Sequence, residues 1–348
     1  MVSVLIVTWN SAHHLGECFA SLAEQDYREL EVIIVDNASI DGTRALLREV
    51  EPRWSVIYND SNVGFASGQN QAIRTSAGEW VLCLNADVVL SPDFISQLVA
   101  AGEAHREAGS VCGKLLRWDD PEAVQHRTNI IDSTGIYFTR NMRHLDRGAE
   151  ERDEGQYDRM QYVFGASGAA AMFRRNFIEA VAVEGEFFDE EFFAFREDGD
   201  LAWRAQVMGW KCLYTPAAVA WHVRRVTPER RRDLPLVINW HSVKNRFLMR
   251  GKNASGWLCW RLFFPVAWRD LMTLGYALLR DWRMISAVFY PFRALGNIRR
   301  KRAMIQSRRR VSDRDLLWWF CNTPRAVDVE EAVASNCREQ RAKSEQQK

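Results

Sequence analysis

Short apolar runs separated by amphipathic stretches fill the first half of this chain. Val2–Val7 is almost continuously apolar and ends in Thr8-Trp9-Asn10, and a helical pattern follows around Leu15–Leu22. Glu31–Val35 is the next run, closed by Asp36-Asn37-Ala38-Ser39. A short helix through Thr43–Val50 then leads to a strand at Ser55–Tyr58. After Gly64–Gly68 the spacing predicts a helix near Asn70–Ser76 and a strand over Glu79–Leu84. Such alternation predicts an α/β fold with a mainly parallel sheet covered by helices on both faces. Ligands of these sheets bind beyond the carboxyl ends of the strands. Asp36 and Asn85-Ala86-Asp87 occupy those ends.

From Val111 to Asp158 the pattern is weaker and reads as a strand pair with polar loops. Tyr162–Phe173 is small and apolar, which predicts close backbone approach. Asp198–Val207 reads as a helix stopped by Gly209, and Lys211–Tyr214 starts a strand that ends near Trp221-His222. Beyond Leu234 the texture changes. Trp257–Leu295 is rich in Trp, Phe, Leu and Met, but arginines interrupt it before any uncharged stretch reaches the ~18 residues of a spanning helix. The expected division is a catalytic domain over 1–233, an amphipathic basic helical extension over 234–325, and a polar, partly disordered tail over 326–348.

Composition adds one asymmetry. The 348 residues are 47% hydrophobic with a net charge of +1, enough for one large domain plus an appendage. Yet between Lys244 and Arg310 the acidic residues are Asp270 and Asp281 alone, while Arg299-Arg300-Lys301-Arg302 and Arg308-Arg309-Arg310 form basic clusters. Bulky aliphatics beside these clusters, with no stacking platform, argue against nucleic acid. They fit interfacial helices on an anionic membrane surface, the other reading being a helical bundle packed on the domain. The seven cysteines are scattered and never in C-x-x-C spacing, which predicts reduced thiols in a cytosolic compartment. The opening run reads as a strand, not as a signal peptide. The expected location is cytoplasmic, peripheral on the inner face of the cell membrane.

Candidate chemistry lies at the strand ends. Asp36 is placed to accept a hydrogen bond from a nucleobase, or else to cap the turn that follows it. Asn85 and Asp87 are spaced to converge on a hard cation such as Mg²⁺ or Mn²⁺, or else to form a turn; Asn85 supplies only a neutral oxygen. Glu197 and Asp198 stand at a helix start, as a general base or as acids favoured by the helix dipole. Five phenylalanines just before them (Phe187, Phe188, Phe192, Phe193, Phe195) favour a buried or lidded site. His222, at a later strand end, is a potential metal ligand or a structural histidine.

Several motifs appear in order: Val4–Asn10, Val32–Thr43, Asn62-Val63-Gly64-Phe65-Ala66, Leu84–Asp87, and Phe188-Asp189-Glu190 through Glu197–Leu201. Over about residues 1–225 the chain resembles the family 2 glycosyltransferases of GT-A fold, in particular the rhamnosyltransferase-like branch. The resemblance implies that Thr8, Asn10 and Asp36 hold the nucleoside and that Asn62, Gly64 and Phe65 line the donor pocket. Asp87 would bind the divalent cation, helped by Asn85 and His222. Asp198 would be the base of an inverting transfer, with Glu197 beside it. Arg204 would support the diphosphate or form a structural ion pair. The donor would be a dTDP- or UDP-linked sugar, rhamnose first among candidates, and the acceptor a lipid-linked or polysaccharide hydroxyl in cell-envelope glycan synthesis. Family members often continue past the histidine with Gly and Ser, where this chain has Val223-Arg224-Arg225.

Two rivals differ in class. A nicotinamide oxidoreductase needs a glycine-rich turn after the first strand, and Trp9-Asn10-Ser11-Ala12-His13-His14 is too bulky for one. A catalytically silent sugar-nucleotide binder is compatible with Asn85.

Overall fold

A computed structural model describes residues 1–118, 127–223, 236–279, 281–321, 323–330 and 332. The first half follows the hydrophobic pattern: β1 (Val2–Thr8), α1 (Ala12–Ala23), β2 (Leu30–Asp36), α2 (Thr43–Val50), β3 (Ser55–Tyr58), α3 (Phe65–Thr75) and β4 (Trp80–Asn85). α3 begins earlier than its apolar spacing predicts. Gly64, at φ +89°, turns the chain into the helix, and Gly68 belongs to the helix because it packs on β1. A Cβ at position 68 would come 2.9 Å from Val7 Cγ1.

β5 (Val88–Leu90), α4 (Phe94–Ala104), β6 (Ala108–Trp118) and β7 (Arg127–Ser133) follow, β6 and β7 pairing antiparallel where a strand pair is expected. β8 (Ile136–Phe138) and β9 (His144–Asp146) make a separate hairpin. Next come β10 (Gln161–Val163), β11 (Ala170–Arg174), α5 (Arg175–Val181), α6 (Glu197–Val207) and β12 (Lys211–His222). Gly209, at φ +80°, terminates α6.

The main sheet runs β13-β10-β12-β6-β11-β4-β1-β2-β3, with β13 (Val327–Asp328) supplied by the far end of the chain. β1 is parallel to β2 and β4, β2 to β3, and β12 to β6; β11 runs antiparallel between β4 and β6. Alternate side chains of these strands feed two cores. Leu5, Ile33, Val35 and Cys83 lie on one face, Val4, Ile6, Ile34 and Leu82 on the other. Burial on both sides is why the strands read as unbroken apolar runs.

The C-terminal helices are α7 (Leu236–Asn253), α8 (Gly256–Arg261), α9 (Phe263–Leu279), α10 (Ile285–Arg293), α11 (Leu295–Ser307) and α12 (Asp313–Trp319). They share a core with the preceding domain. Leu248, Met249, Ile298, Ile305, Leu316 and Phe320 belong to the same core cluster as Trp203 of α6. A buried ionic network fastens the join. Lys252 contacts Asp189 and Asp200, Lys301 contacts Asp189 (2.8 Å) and Glu186 (2.7 Å), and Asn253 donates to Asp200 (2.7 Å). Burial opposes the charge on Asp189, but Lys252 and Lys301 prevail and hold it well below the usual carboxylate range.

In the structure many residues of the basic clusters have partners within the protein. Arg300 pairs with Glu184, Lys301 with Glu186 and Asp189, and Arg309 with Asp313. Arg302 donates to the carbonyls of Gly251 and Ala254, and Arg308 to that of Ala182. Much of the cluster therefore serves to pin the extension to the domain. The apolar residues of Trp257–Leu295 behave in the opposite way. Trp260, Phe264, Trp268 and Trp282 are 71, 82, 67 and 75% exposed, and of α9 only Ala277 is buried. Among the described residues, no helix is long and apolar enough to cross a membrane. Most of the polar tail, residues 333–348, and the expected boundary at 233/234 lie outside the described residues.

Candidate active site

Strand polarity assembles the site. β1, β2, β4, β6 and β12 all run the same way, so Thr8, Asp36, Asn85 and His222 finish their strands at one edge of the sheet. Register makes this closer: Thr8 is opposite Asp36 and Val7 opposite Asn85. β11 enters from that edge, where the Asn85 N–H donates to the Ala169 carbonyl (2.9 Å). The preceding residue, Gly168, donates its N–H to Asp198 Oδ2 (3.1 Å). Asp36, Asp87 and Asp198 thus reach the same side of the fold from different segments.

Asp198 sits in the first turn of α6 and is held twice by backbone. Gly168 N–H binds Oδ2, and Gly199 N–H binds Oδ1 at 2.7 Å. Behind it lies an apolar pocket walled by Phe164, Phe173, Phe188 and Leu201. Burial, and then the Asp146 carboxylate, raise the Asp198 pKa, while the two amides and Arg196 pull the other way. The adjoining Glu197 is buried with its Oε2 unpartnered. Burial first, then Asp198 and Asp200, push its pKa up to about 8. Two neighbouring carboxyls therefore differ in setting: one is anchored with its side chain 20% exposed, the other is kept protonated near neutrality.

Around Asp87, β5 pairs with β12, and the Val223 N–H donates to the Asp87 carbonyl (3.0 Å). His222 Nε2 lies 3.5 Å from Asp87 Oδ1, and Nδ1 lies 2.8 Å from Asp132 Oδ2 on β7. Burial alone would depress the imidazole pKa, but Asp132 and Asp87 raise it to about 10. A histidine backed by a carboxylate on one nitrogen, with the other nitrogen facing a second carboxylate, is a recurrent arrangement around metals. Among the described residues, no three His, Cys, Asp or Glu converge to enclose an ion. The Asp87 carboxylate is a hard oxygen donor of the kind Mg²⁺ and Mn²⁺ take, with phosphate oxygens and water completing the shell of such ions.

At the other end, Asp36 has no exposed surface. Thr8 Oγ1 donates to its Oδ1 (3.2 Å), and Ser39 N–H (3.2 Å) and Arg44 Nε (2.7 Å) donate to its Oδ2. Thr8 is equally buried, so it orients Asp36 and presents nothing to solvent. Asn10, at φ +52°, donates its N–H to Ser39 Oγ and accepts from Ile40 N–H (both 2.9 Å), which ties the β1 loop to the loop after β2. Asn62 Oδ1 accepts from Gly64 N–H (2.9 Å), and the Gly64 carbonyl accepts from Asn37 (3.1 Å), which joins this loop to the Asp36 corner. A Cβ on Gly64 would meet Phe193 at 2.6 Å. Phe65 packs edge-on against Phe188.

Arg204 lies elsewhere. It is buried, donates to the Phe187 carbonyl (2.6 Å), and faces Asp200, Asp189 and Glu186 of the ionic network. Its hydrogen bond is to backbone, and the acids of the network act on it through their charge. Phe187, Phe188 and Phe192 are core residues, so they bury the base of the site as their clustering predicts. Sequence reasoning missed Asp132, His144, Asp146 and Arg44. The first three come from the weakly patterned stretch between Val111 and Asp158, where nothing local marks them, and they acquire meaning only through β7 and the β8–β9 hairpin.

Comparison with known proteins agrees with this geometry. The profile described as "Glycosyl transferase family 2" matches residues 3–181. An N-acetylglucosaminyl-diphospho-decaprenol L-rhamnosyltransferase of Mycobacterium tuberculosis (strain ATCC 25618 / H37Rv) is 27% identical over 306 residues, 81% of this chain and 96% of that protein. An N-acetylglucosaminyltransferase of Mesorhizobium japonicum is 31% identical over 63% of this chain and 50% of its own length. Among solved structures, GalNAc-T7 with UDP, GalNAc and Mn²⁺ aligns at TM-score 0.56 and 14% identity, covering 72% of this chain and 48% of that one. S. aureus TarS 1-349 aligns at 0.50 and 18%, covering 88% of each. At these identities the structural likeness concerns the fold. The sheet-edge site and the profile over half the chain lead to one assignment: this protein is a member of glycosyl transferase family 2.

Proposed function

We propose that this chain is an inverting, divalent-cation-dependent glycosyltransferase. It moves a sugar, rhamnose first among candidates, from a dTDP- or UDP-linked donor to a hydroxyl of a lipid-linked acceptor in cell-envelope glycan synthesis. The observation that carries the reading is the convergence of the Asp87–His222 pair and the anchored Asp198 at one sheet edge. When bound there, a divalent cation neutralises charge developing on the departing diphosphate. Asp87 and His222 would hold it, and Asp132 would keep the His222 ring turned toward it. Asp198, fixed by two amides, takes the proton of the acceptor hydroxyl as that oxygen attacks the anomeric carbon from the face opposite the nucleotide. Glu197, kept neutral beside it, adds no second negative charge. For a base N–H to reach the buried Asp36, the Arg44 guanidinium must swing outward.

The rhamnosyl and lipid-linked assignments rest on the name of the mycobacterial relative, which spans nearly its whole length. A second reading, transfer of N-acetylglucosamine from a UDP-sugar, is favoured by the rhizobial relative. The exposed aromatic face of α8–α10 suits an acceptor held in a bilayer, with the protein peripheral on its cytoplasmic side. A thermal-shift screen of dTDP- and UDP-sugars with Mg²⁺ or Mn²⁺ tests the donor, because a ligand of the folded state alone raises its stability. Asp198→Asn should keep donor binding while turnover falls by roughly 10²–10⁴-fold. Unchanged turnover would remove Asp198 as base, and nucleotide-sugar binding with no transfer in the wild type would mark a silent binder.

A further inference from the structure

His144, on β9, stands beside Asp198 with its ring orientation set from three sides. Arg196, the residue before α6, adopts a left-handed φ of +71° and is held by α7: its Nε donates to the Ser242 carbonyl (2.7 Å) and its Nη2 to Ser242 Oγ (3.2 Å). Its remaining Nη1 lies 3.2 Å from His144 Nδ1. A guanidinium only donates, so this contact assigns Nδ1 as its acceptor. The ring proton is then on Nε2, which faces Asp198 Oδ1 at 3.8 Å. Phe138 packs at 6.0 Å from the imidazole, and a Cβ on Gly199 would come 3.1 Å from His144 Cγ. Room for the ring therefore depends on a glycine directly after the base.

We propose, resting on the reading of Asp198 as base, that His144 is a positioning residue for Asp198. Its Nε2–H directs the carboxylate toward the acceptor hydroxyl, and α7 reaches the reaction through Ser242, Arg196 and His144. The contact is longer than a hydrogen bond, as catalytic contacts often are before substrate closes the site. His144 is not a relay for the abstracted proton, because Nε2 already carries one and Nδ1 is occupied by Arg196. The amides of Gly168 and Gly199 fix the carboxylate from its backbone side, and His144 supplies the remaining direction.

The test compares His144→Leu with His144→Gln in the full chain, using the donor identified by thermal shift. Leu fills the space without a donor group, whereas Gln carries an N–H to about the place of Nε2. His144→Leu should lower kcat by about 10–100-fold, the range for a misplaced catalytic group, with donor KM and melting temperature nearly unchanged. His144→Gln should recover most of that loss. In an Asp198→Asn background, His144→Leu should cost nothing further, since it acts through the missing carboxylate. A wild-type kcat in His144→Leu overturns the proposal while leaving Asp198 as base. Equal losses in the Leu and Gln variants, or a full additional loss in the Asp198→Asn background, also overturn it. Wild-type turnover in Asp198→Asn itself defeats both readings together.

Discussion

His222 stands between two carboxylates, its Nδ1 2.8 Å from Asp132 and its Nε2 3.5 Å from Asp87. The first contact fixes the ring; under the proposed function, the second is where a cation would compete with a proton. Raised from 6.5 to about 10, this histidine is protonated in the folded, metal-free protein where the unfolded chain has already released the proton. Its stabilising contribution is therefore complete below about pH 6.5 and lost as pH rises through about 10. Denaturant midpoints of metal-free protein should fall over that window, and less so in Asp132→Asn. Mn²⁺ affinity, followed by electron paramagnetic resonance, should rise over the same window because the ion needs the neutral imidazole. Affinity independent of pH would show that His222 is not a ligand.

Glu197 has the opposite chemistry with the same sign. Between its ordinary 4.5 and about 8 the folded state keeps a proton that the unfolded chain has lost, so folding weakens as pH rises through that range. Glu197→Gln cannot ionise and should make the protein less sensitive to alkali, with the higher melting temperature of the two at pH 9. A variant that melts in parallel with the wild type from pH 5 to 9 would contradict the buried, protonated Glu197.

The join between the domain and its extension should be costly to break. Lys252 is nearly inaccessible and lies between Asp189 and Asp200, both equally buried. Lys252→Ala leaves their charge partly uncompensated and should destabilise by about 3–5 kcal/mol. Urea unfolding measures this, and a loss under about 1 kcal/mol would mean that Lys301 and Asn253 suffice.

Membrane docking is expected to depend on aromatics more than on arginines. Replacing Trp260, Phe264 and Trp268 together by Ser removes side chains that touch little of the protein, so folding should survive. Each contributes about 1.5–3 kcal/mol when transferred from water, so co-sedimentation with anionic vesicles should drop by at least about tenfold. Retained binding in the triple variant, or none in the wild type, would leave this face to a protein partner.

Much of the catalytic half was legible before folding. The apolar runs of β1, β2 and β4 placed Thr8, Asp36 and Asn85 at strand ends, and the Gly209 stop placed Asp198 at the start of its helix. That legibility has a simple cause: strand period, helix period and turn chemistry are local, and burial on both faces leaves continuous apolar runs. The partners of the basic clusters were not legible, for the complementary reason. Composition records that Arg300, Lys301 and Arg309 are charged, but not that Glu184, Glu186, Asp189 and Asp313 wait for them.

The sequence by itself determined the alternation of strands and helices, the mainly parallel sheet, and the polar residues standing at its strand ends. Tertiary structure alone decided which partners those residues meet. It put Asp132 behind His222 across 90 positions of chain, His144 beside Asp198 across 54, and Arg204 on the Phe187 carbonyl. These contacts form between segments with no shared periodicity. They are set by strand order and register, which depend on how the whole chain packs and leave no trace in any single window of residues.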